Sequence, residues 1–127
     1  MNKKIKDNLT KELKNKTILV TGGAGSVGSV LVKKILEFPV KTVRVLDIDE
    51  HALFKLNRSI NDKRLRLLLG SITDKERIEM AGHNVDIILH LAAIKNIEIS
   101  EFNPIETIDT NVQGMINLVK MSMINKP

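Results

Sequence analysis

The residues most suited to chemistry lie in one short run, Gly22-Gly23-Ala24-Gly25-Ser26-Val27-Gly28, behind Val20-Thr21. The spacing Gly23-x-Gly25-x-x-Gly28 matches the dinucleotide fingerprint. In that fingerprint glycines make a tight turn, let the main chain approach a pyrophosphate, and let a helix sit close on a strand. The chemistry is anion binding: the N–H groups of a first helical turn face the phosphates, with the positive end of the helix dipole behind them. A glycine-rich turn that holds no ligand is the plainer alternative. A strand before the run and a helix after it are the context the motif requires. Candidate cofactor contacts here are Thr21, Gly22, Gly23, Gly25, Ser26, Val27 and Gly28.

Asp47 follows Gly28 by 19 residues. The fingerprint expects an acid about 20 residues on, bonding ribose hydroxyls. A carboxylate there prefers NAD over NADP, because a 2′-phosphate would meet it. Asp47 is alternatively a helix cap, a task open to Asp49; Asp49 or Glu50 can also share the ribose. Ile48 stands beside it at the expected crevice. Gly70-Ser71-Ile72-Thr73-Asp74 ends the third apolar run, and Ser71 and Ile72 border an adenine or merely form a capped turn. At His90-Leu91-Ala92-Ala93-Ile94-Lys95-Asn96, small alanines allow a nicotinamide ribose close. Leu91, Ala92, Ala93 and Lys95 are therefore candidate contacts. Lys95 reads equally well as a solvated lysine. His90, inside an apolar run, reads as a hydrogen-bonded core histidine before a catalyst. Asn111 bonds a neighbouring backbone sooner than a ligand. No catalytic or metal-binding set is assigned.

These residues need strands and helices to hold them. Residues 3–14 read as a lysine-rich amphipathic helix with Ile5, Leu9 and Leu13 on one stripe, broken by Asn15-Lys16. Strands are expected at 17–20, 42–46, 65–69 and 85–91, each almost wholly apolar, as in a sheet covered on both faces. Helices are expected at 26–37, with Val27, Val30, Leu31 and Ile35 inward and Pro39 as the stop, and at about 50–60, with Leu53, Leu56 and Ile60 inward. Thr73 to Glu76 has capping-box spacing and opens a short helix. Asn103-Pro104-Ile105-Glu106 opens another that runs to about 124. Strand and helix alternating four times imply an α/β fold: a Rossmann-type doubly wound parallel sheet, truncated after about four strands. The division expected is a basic helical tail over 1–16 and an incomplete NAD(P)-binding domain over 17–127.

Composition narrows the classes. The chain has 127 residues, 43% hydrophobic and 28% charged, which suits one globular domain. Six lysines against Asp7 and Glu12 give residues 1–16 a net +4, so only +1 of the total +5 falls elsewhere. With three phenylalanines as the only aromatics, a nucleic-acid partner is not expected. No apolar run suits a membrane span and no secretory signal is read, so a cytoplasmic location is the default. Absence of cysteine removes disulfides and thiolate chemistry.

Together, Thr-Gly-x-x-Gly-x-x-Gly at 21–28, Asp47, Gly70-x-x-x-Asp74, His90-Leu-Ala-Ala93, Asn103-Pro104 and Thr110-Asn111-Val112-x-Gly114 resemble the extended short-chain dehydrogenase/reductases. The chain looks most like their CapD-type polysaccharide-biosynthesis branch of nucleotide-sugar 4,6-dehydratases and epimerases. The narrower match is carried by residues 46–54, Ala92-Ala93-Ile94-Lys95 and Glu101-Phe102-Asn103-Pro104. It departs at Ser71, where the family has an acid, and at Asn96, where it has His. The resemblance implies NAD as cofactor and a nucleotide-sugar substrate. It also implies a Tyr-x-x-x-Lys pair after a fifth strand, with the tyrosine shuttling a proton. This chain has no tyrosine. The expectation is a dinucleotide-binding portion, inactive by itself, that self-associates or docks on a partner chain. A non-catalytic nucleotide-binding or interaction module is the alternative.

Overall fold

The computed structural model describes residues 3–92 and Ile116. Four parallel strands, β1 (Thr17–Thr21), β2 (Thr42–Asp47), β3 (Leu65–Leu69) and β4 (Ile87–His90), form one sheet in the order β3-β2-β1-β4. Helices α1 (Lys3–Leu13), α2 (Ser26–Ile35), α3 (Glu50–Ser59) and α4 (Lys75–Ala81) precede or connect them. This is the Rossmann-type α/β arrangement. Strand order reverses beside β1, at the boundary with β4, and a crevice at the carboxyl ends of those strands is where such folds take ligands.

The strands are apolar because both faces are covered. On one face Ile18, Val20, Val43 and Val45 meet Val32 and Ile35 of α2 and Leu53 and Leu56 of α3. On the other, Leu19 and Leu46 meet Ile72, Ile78, Ala81 and Val85 around α4. Every residue of β1 is buried. The N-terminal helix lays Leu9 and Leu13 on the first cluster and leaves Ile5 exposed; Asn15 then turns the chain at φ 58°.

Three expectations change. α2 stops at Ile35, four residues before Pro39, and its buried residues are Gly28, Val32 and Ile35. Val27 and Val30 are exposed (72% and 67%), because the helix turns the face of Gly28, Val32 and Ile35 inward. α4 is capped by Asp74, whose carboxylate accepts from Arg77 N–H at 3.2 Å; the Thr73 hydroxyl instead pairs with that of Ser71 at 2.7 Å. Finally, β4 is only Ile87–His90, with Val85 buried outside the strand. The helix expected over 103–124 lies outside the described residues.

Arg64 fastens the end of α2. Its Nη1 donates to Phe38 O at 2.8 Å and its Nη2 to Leu36 O at 2.5 Å, while Asp62 holds the guanidinium at 2.8 Å. The Arg64 side chain and then its backbone N–H, both donating to Asp62, lower that carboxyl from 3.8 to about 2. A lowered folded-state pKa adds stability that is full above the unfolded value and lost as pH falls through the folded one. Asp62→Asn should therefore melt below wild type above pH 4, with the gap closing towards pH 2. A constant gap across a melting series from pH 6 to 3 would rule this out.

Candidate functional site

The glycine loop hangs from the carboxyl end of β1. Gly22 takes φ +70°, and a Cβ on it would come within 2.9 Å of the Ala92 and Leu91 backbone. It is Gly22 that makes the tight turn; Gly23 packs on Val45 and Val20. The working frame is therefore Gly22-x-x-Gly25-x-x-Gly28. A Cβ on Gly28 would lie 2.5 Å from Gly22 O and 2.6 Å from Gly23 Cα, so this glycine lets α2 begin against the loop. At Gly25 the nearest atom would be 3.5 Å away, which leaves open space on the exposed side. Gly25 is the N-cap of α2, and no side chain caps the helix. The first-turn N–H groups of exposed Ser26 and Val27 and of buried Gly28 are thus left to an incoming anion.

Asp47 ends β2 beside this loop. One carboxylate oxygen accepts from Ala24 N–H at 3.1 Å and the other from Asp49 N–H at 3.0 Å. Asp49 caps α3, accepting from Ala52 N–H at 3.0 Å. The two aspartates divide the tasks: one caps, the other braces the glycine loop at half-buried depth. A carboxylate has about four lone-pair sites, so two remain for a ribose diol. Ile48 beside it is 70% exposed. The Ala24 contact had no sequence signal, because any residue's main-chain N–H can make it.

Across the switch point, Thr21 and His90 are register partners. Thr21 is wholly buried, and its Oγ1 accepts from Leu91 N–H at 3.1 Å and Ala92 N–H at 3.3 Å. The same oxygen lies 2.6 Å from His90 Nδ1, a hydrogen bond across the strand pair. Thr21 thus has no surface to offer a ligand and instead fixes where β4 leaves the sheet. Thr21→Val removes this shared hydroxyl from Ala92 N–H and the imidazole, while Leu91 N–H keeps its bond to Thr21 O at 2.9 Å. The expected loss is about 1–3 kcal/mol, with Thr21→Ser near wild type in the same melt. Equal melting of the two variants would sink the idea.

Ser71 is half-buried and uses its hydroxyl on Thr73 N–H at 3.1 Å as well as on the Thr73 hydroxyl. Ile72 is 3% exposed in the core under α4, so its side chain does not line a crevice. Leu91 and Ala92 pack on opposite clusters. Ala93, Lys95, Asn96 and Asn111 lie outside the described residues. Among the described residues no group of His, Asp and Glu could hold a metal ion. Likewise, no helix of the described residues is long and apolar enough to cross a membrane.

Parallel order, switch point and glycine loop define a Rossmann-type nucleotide-binding fold. Residues 18–126 match the polysaccharide biosynthesis protein family, and the chain belongs to it. It is 47% identical over 110 residues to an uncharacterized membrane protein of Methanocaldococcus jannaschii, covering 87% of this chain and 33% of that one. It is 36% identical over 105 residues to the inverting UDP-N-acetylglucosamine 4,6-dehydratase of Campylobacter jejuni, covering 82% and 31%. Among solved structures it resembles the dTDP-glucose 4,6-dehydratase DesIV of Streptomyces venezuelae, crystallised with NAD bound. There the TM-score is 0.76 at 31% identity, over 87% of this chain and 36% of that one. The chain spans about a third of the length of the curated relatives it matches.

Proposed function

We propose that this chain is the NAD-binding part of an enzyme that modifies a nucleotide-linked sugar, by 4,6-dehydration or epimerisation, for polysaccharide biosynthesis. The observation that carries the reading is the uncapped start of α2, facing open space at Gly25 and braced by Asp47. The N–H groups of Ser26, Val27 and Gly28 bind the pyrophosphate. Asp47 accepts from the adenosine ribose hydroxyls and disfavours a 2′-phosphate, so NAD is preferred to NADP. Ile48 and Ser71 flank the adenine, with Ile72 supporting that loop from the core. Leu91 and Ala92, with Ala93 and Lys95 beyond, approach the nicotinamide ribose. Bound NAD supplies a hydride acceptor; the residues of this chain bind and orient it.

Calorimetric titration of the purified chain with NAD, NADP and a UDP-sugar tests this. NAD should bind more tightly than NADP, and binding of neither dinucleotide would overturn the reading. The outer edge of β4 pairs with no strand among the described residues, and there a second copy or a partner chain would add.

A further inference from the structure

On the sheet face that carries α4, a groove of about 390 Å³ is lined by Thr42, Arg44, Arg66, Leu68, Met80 and His83. Arg44 and Arg66 are register partners on parallel β2 and β3. Neighbouring strands lie about 4.8 Å apart, so both side chains rise next to each other from one face. Like charges set directly opposite destabilise a sheet. Among the described residues no carboxylate lines the groove to offset them.

Main-chain carbonyls hold both arginines in place. Arg44 Nη1 donates to Ala81 O at 2.9 Å and His83 O at 2.6 Å, at the end of α4. Arg66 Nη1 donates to the carbonyls of Lys63 and Leu65. These bonds fix the guanidiniums without neutralising them. The Nε and Nη2 donors of each have no acceptor among the described residues.

We propose that this groove binds the phosphoryl group of a small organic phosphate, at a site separate from the glycine loop. A guanidinium presents a planar fork of donors that matches phosphate oxygens in pairs. Two guanidiniums on one groove favour a doubly charged anion, and a phosphate monoester carries about −1.5 to −2 on three terminal oxygens where a carboxylate carries a single charge on two. Thr42 adds a hydroxyl donor, and Leu68 and Met80 form an apolar wall for the organic part. Separation follows from the strand: Thr42 pairs with Thr17 at the amino end of the sheet. Arg44 precedes Asp47 by three residues, about 10 Å along β2.

The test titrates inorganic phosphate and pyrophosphate into the full chain, against sodium chloride at matched ionic strength. Arg66→Met keeps the apolar stem and removes the fork; Arg66→Lys keeps the charge alone. Phosphate should bind wild type and raise its melting temperature, with binding tenfold or more weaker in Arg66→Met and intermediate in Arg66→Lys. NAD binding should be equal in all three. Phosphate should still bind wild type saturated with NAD. Equal phosphate affinity in wild type and Arg66→Met overturns the proposal. So does equal stabilisation by chloride, or loss of phosphate binding when NAD is saturating. Tighter binding of a phosphate-free acidic peptide to the same arginines overturns it in favour of a protein partner.

Discussion

Replacing Gly28 by alanine is expected to weaken NAD binding at least a hundredfold and to lower the melting temperature by several degrees. The added Cβ would meet Gly22 O and Gly23 Cα at 2.5 and 2.6 Å, and both are main-chain atoms that cannot rotate away. Either α2 moves off β1 or the loop opens. A hundredfold corresponds to about 2.7 kcal/mol, within what overpacking a tight contact costs. Gly25→Ala is the informative comparison. Its Cβ meets nothing nearer than 3.5 Å in the free chain, so the fold should melt as wild type. The same methyl stands where the pyrophosphate should approach, so NAD affinity should still fall. Calorimetry and a thermal melt on both variants check the pair. Undiminished NAD binding by Gly28→Ala would remove the loop from the site.

Asp47→Ala carries the second large effect. The carboxylate braces Ala24 N–H and Asp49 N–H, and in the proposed complex it also accepts from the ribose. Hydrogen bonds to a charged group contribute about 1.5–3 kcal/mol each, less where water can replace them. NAD affinity should fall between tenfold and a hundredfold. NADP affinity should fall less or rise, because the charge that opposes a 2′-phosphate is gone. Asp47→Asn keeps an acceptor and loses the charge, so it should reproduce the change in NAD/NADP preference with a smaller loss of stability. An unchanged preference in both variants would assign Asp47 to bracing alone.

Much of this architecture is legible in the chain because buried parallel strands leave a plain signal. The apolar run 65–69 coincides with β3, and Asp47 and Asn15 sit where chain direction changes. The errors share a physical origin. Val27 and Val30 lie on an apolar stripe of α2, yet the buried face runs through Gly28, Val32 and Ile35, and a glycine set against the loop gives no hydrophobic signal. Thr73 and Asp74 are both competent caps, and only the path of the turn selects Asp74. Ile72 stands in a loop by sequence but is drawn under α4 by burial. The bond between Thr21 and His90 spans 69 residues, and no local pattern reports it.

The bracing of the loop has a consequence for how a ligand is received. The loop between β1 and α2 starts from a strand that is buried throughout, and Asp47 fastens its middle to the next strand. Its backbone is therefore ordered before any dinucleotide arrives. Ordering a residue costs roughly 1–2 kcal/mol of conformational entropy, and here that penalty is met when the chain folds rather than when it binds. Dinucleotide capture should then leave backbone order in residues 22–28 nearly unchanged, and amide-exchange protection in β1 should set the lifetime of the site.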